Sequence, residues 1–129
     1  DLHTIDGAIT IEGQGGAIKL DPFEVNHGSI DALGFRIGGL AYLPDVLSIP
    51  DASWPALENL DVWILDALRR EPHPTHVHLD LALEWMERVA PKRGVLTNMH
   101  IDLDYKTVAD ETPEHITPAF DGMVITLQD

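Results

Sequence analysis

Cysteine is absent from the 129 residues, which excludes disulfides and thiolate metal sites. Basic residues are scarce: Lys and Arg total 8 against 22 Asp and Glu, a formal net charge of -14. Such an acidic balance repels polyanions at long range, and non-specific nucleic-acid binding needs Lys and Arg to neutralise phosphates. Nucleic acid is therefore not an expected partner. A small phosphate-containing ligand stays open, because a bound divalent cation reverses the local field. No apolar run approaches the roughly 20 residues of a membrane span, so no membrane is expected. Nor is there a basic start followed by an apolar stretch, the mark of a signal peptide. A cytoplasmic setting is the expectation compatible with these absences. The opening Asp1-Leu2-His3-Thr4-Ile5-Asp6 lacks Met and reads like the middle of a protein, so a processed or truncated piece is expected.

What is present suits one globular core: 44% of the residues are apolar. Residues 7–12 and 17–25 alternate apolar and polar, and Gly13-Gln14-Gly15-Gly16 between them reads as a hairpin turn. Pro22 inside the second strand implies an edge position or a bulge. Residues 33–43 read as two short strands joined at Gly38-Gly39. Ser53 is expected to cap a short helix over Trp54-Pro55-Ala56-Leu57-Glu58.

The compact run 61–67 reads as a strand buried on both faces. Leu79, Leu83, Met86 and Ala90 fall at helical spacing and predict a helix over 79–90, stopped by Pro91. Residues 94–99 read as another buried strand, 103–110 as one or two helical turns, and 119–127 as a final strand. Strand, helix and strand in succession make a βαβ-type unit, so the class is α/β with a mixed sheet and flanking helices.

Chemistry concentrates on histidine, of which there are seven. Imidazole is the commonest ligand for borderline metals, and strand ends converge on one point. His27 follows a strand and precedes Gly28; from position alone it is equally a surface turn residue. Asp45 ends the run Leu40-Ala41-Tyr42-Leu43-Pro44, where a carboxylate either bridges metals or caps a loop. His73-Pro74-Thr75-His76-Val77-His78 places three imidazoles ahead of a helix, where free N–H groups and the dipole favour an anion. His73, His76 and His78 are candidates for holding a phosphate, with one of them donating a proton to a leaving oxygen. The other reading is a polar loop with a histidine near the helix start. Asp66 ends the strand 61–67 and either orients a histidine or caps the strand. His100, with Asp102 and Asp104 after it, either holds a metal or belongs to a solvated turn. His3 and His115 read as surface residues.

Together these segments resemble the C-terminal half of a metallo-β-lactamase-fold hydrolase, in the branch that includes the phosphoribosyl cyclic phosphodiesterase and, more distantly, the tRNA 3′-processing nucleases. The stretches that carry the resemblance are residues 25–37 around Val25-Asn26-His27-Gly28, Ala41-Tyr42-Leu43-Pro44-Asp45-Val46, Leu65-Asp66-Ala67-Leu68-Arg69 through His76, Leu96-Thr97-Asn98-Met99-His100 and Pro118-Ala119-Phe120-Asp121-Gly122-Met123. They span nearly all of the chain after residue 17, and their order and spacing carry more than any single motif.

The resemblance implies half of a four-layer αββα sandwich, with residues 1–129 as its C-terminal half. It implies two divalent metal ions, Zn or Mn, and a metal-bridging hydroxide that attacks a small sugar- or nucleotide-like phosphodiester. By it, His27 and Asp45 are metal ligands, Asp45 bridging. His100 is the last ligand, because Asn98 stands where relatives place a histidine directly after the threonine. His76 matches a histidine near the scissile phosphate, and His78 stands where relatives often carry a capping Ser.

The family's His-x-His-x-Asp-His motif does not occur here. His76-Val77-His78-Leu79-Asp80-Leu81 has its first five positions and then Leu81 in place of the last histidine. The expected partners are thus a small phosphate-containing ligand, the N-terminal half of the same fold and, as an option, a second copy in a homodimer. The alternatives are a non-catalytic nucleotide- or partner-binding fragment, or a same-fold thioesterase or lactonase.

Overall fold

The computed structural model describes residues 2–127. In chain order its strands are β1 (Ile9–Gly13), β2 (Gly16–Asn26), β3 (Asp31–Ile37), β4 (Leu40–Leu43), β5 (Val62–Asp66), β6 (Arg93–Thr97) and β7 (Ile116–Pro118). The helices are α1 (Leu79–Val89) and α2 (Tyr105–Glu111), with a 3₁₀ helix over Asp51–Leu57 between β4 and β5. The strands form one seven-stranded sheet whose spatial order is the chain order, β1 to β7. β1 to β4 pair antiparallel through tight turns, and β4 to β7 pair parallel. A parallel neighbour needs a crossover, and α1 supplies the one between β5 and β6. The expected α/β class with a mixed sheet is therefore observed. Among the described residues, no helix is long and apolar enough to cross a membrane.

The expected hairpin turns at Gly13–Gly16, with Gly13 paired to Gly16. Pro22 sits where its ring costs little: β1 stops at the Ile9–Leu20 pair, so Pro22 has only β3 beside it. In β3, Gly34 pairs with Phe23. A Cβ there would overlap the Phe23 ring and come 3.0 Å from Leu43 Cδ1. Gly34→Ala should therefore lower the unfolding free energy by about 1–3 kcal/mol, the cost of overfilling a packed site, read as a lower urea midpoint at unchanged slope.

In β5, Val62, Trp63, Leu65 and Asp66 are buried and Ile64 is half-buried, so side chains on both faces of the strand are largely enclosed. Helix α1 buries Leu79, Ala82, Trp85 and Met86 on one stripe. Asp80 in its first turn and Arg88 in its last complement the helix dipole. It ends at Ala90, which adopts a left-handed conformation at φ 50 and returns its N–H to the Met86 carbonyl.

Two sequence expectations need correction. Ser53 does not cap a helix over 54–58. It lies inside the 3₁₀ helix, which starts after Pro50, and its buried hydroxyl donates to the Glu24 carbonyl at 2.6 Å, tying the helix to β2. The last strand is Ile116–Pro118 and not 119–127. The chain leaves β6 after Ala119 N–H bonds to the Leu96 carbonyl, and a turn at Phe120–Met123 follows. Val124 is 82% exposed. Strand-like composition without a neighbouring strand to accept its hydrogen bonds does not make a strand.

Asp104 caps α2, accepting from the Thr107 N–H at 2.9 Å and from the Thr107 hydroxyl at 3.0 Å. These bonds hold its carboxyl below the ordinary value of 3.8. The capping stabilisation is thus complete above the unfolded value and is lost as pH falls through the lower folded value. Amide exchange at Thr107 should rise above the rate of its neighbours only in that acid range, and Asp104→Ala should abolish the difference.

Candidate metal centre

His27 is set by the turn that ends β2. Asn26 clamps it, its side chain donating to the Gly28 carbonyl at 3.0 Å and accepting from the Gly28 N–H at 3.1 Å, while His27 N–H bonds to the Ile30 carbonyl at 2.8 Å. Gly28 takes φ 84, and a Cβ on it would lie 2.7 Å from Thr75 Cγ2. Glycine is needed on both counts, and it lets residues 73–76 close over the turn. The His27 Nδ1 lies 2.7 Å from the Thr75 carbonyl oxygen. A carbonyl only accepts, so Nδ1 carries the proton and the Nε2 lone pair is free.

His76 is held from the other side. Its Nδ1 lies 2.6 Å from Asp66 Oδ2, and the Asp66 side chain is completely buried at the end of β5. The same carboxylate accepts from the Val46 N–H at 3.3 Å and from the Asn98 amide at 3.3 Å. Burial pushes the Asp66 carboxyl above its ordinary 3.8, while the His76 hydrogen bond and charge, the Val46 N–H and the Asn98 amide pull the other way. With Asp66 accepting, His76 carries its proton on Nδ1 and frees Nε2. A buried carboxylate that fixes an imidazole this way is the arrangement that orients metal-binding histidines and raises their basicity.

Asp45 follows β4, exposed, on the loop whose next residue bonds to Asp66. His27, Asp45 and His76 each offer a ligand atom, and these atoms all lie within 4.8 Å of one another. The His27 and His76 rings meet edge to face at 4.6 Å. Two imidazole nitrogens and a carboxylate oxygen form a donor set suited to Zn²⁺ or Mn²⁺.

The remaining candidates fall into two groups. His73 lies beside the cluster, its ring 5.4 Å from that of His76. Desolvation first, then the charges of Arg69, His76 and His27, pull its pKa below the ordinary 6.5. His78 is half-buried at the N-terminus of α1, where its carbonyl starts the helix but its side chain makes no capping bond. His100 is not brought to the cluster. Its side chain is 60% exposed and sits 3.4 Å from Asp102.

Of the two readings of Asp66, the structure shows the one in which it bonds a histidine. Nothing in the residue pattern assigns Asn98 a role beyond standing at a ligand position. Its amide donates to Asp66 and, at 3.3 Å, to the carbonyl of Pro44 next to Asp45. Asn98 has φ 59, a left-handed conformation that asparagine tolerates better than most residues. That link joins residues far apart in the chain and left no trace in local spacing.

The model of the beta-lactamase superfamily domain matches residues 1–101. The chain belongs to that superfamily. A diphosphatase of the PhnP family has the metallo-β-lactamase fold in common with it, at 36% identity and a TM-score of 0.91 over 99% of this chain and 49% of that one. Zinc-bound PqqB from Methylobacterium extorquens superimposes with a TM-score of 0.68 at 17% identity, over 97% of this chain and 55% of PqqB, a likeness of fold. An octanoyltransferase of Porphyromonas gingivalis is 26% identical over 109 residues, which are 82% of this chain and 22% of that protein. The chain thus spans about half the length of these solved structures, at 49% and 55%, and a smaller share of the octanoyltransferase. The fold is that of the metallo-β-lactamase hydrolases, and it typically binds divalent metals.

Proposed function

We propose that this chain is the metal-holding C-terminal half of a metal-dependent hydrolase that acts on a small sugar- or nucleotide-like phosphate ester. The observation that carries this reading is the convergence of His27, Asp45 and His76, with both imidazoles turned so that Nε2 is free. The similarity to a diphosphatase supports a phosphate-containing substrate. In this reading His27, Asp45 and His76 hold a divalent ion, Zn or Mn, and the other half of the fold supplies the ligands of a second. The metal, when bound, provides Lewis-acid polarisation and water activation.

The chain's own residues do the rest. Asp66 keeps His76 in one tautomer, Thr75 does the same for His27, and Asn98 ties the Asp45 loop to Asp66. His76 is here a ligand, and the phosphate-facing role that the resemblance gave it passes to its neighbours.

A competitive zinc titration tests the ligand set. His27→Ala, Asp45→Ala and His76→Ala should each weaken zinc binding at least about tenfold, a lower bound taken from the loss of a mere ligand-orienting partner. His100→Ala should bind as the parent does. Equal affinity in all four variants would remove the site from these residues, and a loss confined to His100→Ala would move it to the loop 100–104.

A further inference from the structure

The backbone of Thr75 touches two imidazoles with opposite polarity. Its carbonyl accepts from His27 Nδ1 at 2.7 Å, whereas its N–H donates to His73 Nδ1 at 3.3 Å. A peptide N–H only donates, so the His73 Nδ1 is the unprotonated nitrogen, and neutral His73 carries its proton on Nε2. The Thr75 hydroxyl lies 3.2 Å from the same Nδ1 and can donate to it as well. The backbone of one residue therefore leaves His27 with a free Nε2 lone pair and His73 with a free Nε2–H. His76 has the His27 polarity, set by Asp66. His76 lies beside both, its ring 4.6 Å from that of His27 and 5.4 Å from that of His73.

The loop that carries His73 is built to stay put. The Arg69 guanidinium donates to the Glu71 carbonyl at 3.0 Å and to the Pro72 carbonyl at 2.6 Å, and the Arg69 carbonyl accepts from Leu79 N–H at 2.9 Å. That clip brings a positive charge into the neighbourhood of His73 in a chain whose net charge is -14. The local chemistry beside the candidate metal ligands is thus an N–H donor backed by a cation, which suits an anionic oxygen and not a second metal.

We propose that His73 is a substrate-binding residue that donates its Nε2–H to a phosphate oxygen of a ligand held at the His27–Asp45–His76 centre. This deepens the function proposed above and rests on that reading for the position of the phosphate. It divides the labour of the His-Pro-Thr-His segment: His76 faces the metal, and His73 faces the ligand.

Long-range ¹H–¹⁵N correlation spectra of the whole chain read the tautomers directly, with or without metal. His73 should show a protonated Nε2, and His27 and His76 a protonated Nδ1. Inorganic phosphate is then titrated into the protein with and without zinc, following the His73 Nε2 shift. Phosphate should move that signal, and His73→Phe, which keeps the ring and loses the N–H, should bind phosphate about tenfold more weakly. His73→Gln, whose amide restores a donor, should recover most of the loss.

A protonated Nδ1 on His73, a His73 signal indifferent to phosphate, or equal phosphate affinity in His73→Phe would each overturn the proposal. The parent's zinc titration separates the two readings. Failure to bind zinc sinks the metal centre, while zinc binding with a phosphate-blind His73 sinks only the donor role. If His73→Phe does not fold, the parent's tautomer and phosphate-induced shift still decide.

Discussion

Replacing Asp66 by alanine should lower the unfolding free energy by about 3 kcal/mol and weaken zinc binding about 10–100-fold in the same variant. The stability loss follows from burial. The Asp66 carboxylate is fully enclosed and accepts from His76, the Val46 N–H and the Asn98 amide. Removing it leaves the Val46 N–H without a partner inside the protein, along with a void. The loss of affinity has a separate origin, because without the carboxylate nothing holds the His76 proton on Nδ1. Asp66→Asn separates the two. An amide nearly fills the space but has a single oxygen to accept with, so stability should fall less than in Asp66→Ala while zinc affinity falls by a similar factor. Urea unfolding and a zinc titration on the same samples check both numbers. Full zinc affinity in Asp66→Ala would mean that His76 is not a ligand or needs no orienting partner.

Trp63→Ala should cost about 3–5 kcal/mol, the range for emptying a large aromatic site in a core. Trp63 is completely buried in the middle of β5. Its register partners are Ala41 on β4 and Gly94 on β6, two small residues that leave room for the indole. Met86 of α1 closes the space over Gly94, where its sulfur would lie 2.8 Å from an added Cβ. Trp63→Phe should cost much less. It leaves a smaller void and removes the indole Nε1, a buried donor with no partner among the described residues, whose satisfaction is worth about 1–3 kcal/mol. Matching losses for the two substitutions in a urea series would show that packing volume does not set the energetics here, since both remove the orphan donor and only the void differs.

Most of the sheet was legible in the sequence because its signals are local. The glycine turn after β1, the doubly apolar run of β5 and the spacing in α1 each declare themselves within a few residues. β7 was not legible. Ile116–Pro118 is short and follows a Pro-containing loop, whereas residues 119–127 look more strand-like but, beyond the Ala119 N–H, pair with no strand among the described residues. The site divides in the same way. His27 and Asp45 stand at strand ends and were visible as candidates. The distance of His76 from Asp66, ten positions along the chain, carries no periodic signal, and the sheet closes it. His100 looked like a ligand because it follows a strand. The left-handed residue at Asn98 turns the chain at that point, and the His100 N–H bonds to the Leu68 carbonyl, leaving the ring in solvent.

The spatial order of the strands, β1 to β7, repeats their order in the chain. Each strand therefore meets its neighbour immediately before it, with at most one helix between them. Growth of the sheet needs no early strand to wait for a distant late one, so the loop closed at each step is short and its entropy cost small. A chain emerging from the ribosome can add strands one at a time to an edge already formed. The histidine loop then arrives onto a finished β5, with the buried carboxylate of Asp66 waiting for it. The histidine loop is in this sense seated part-way through a scaffold laid down in sequence, before β6 and β7 complete the far edge of the sheet and Asn98 ties the Asp45 loop to Asp66.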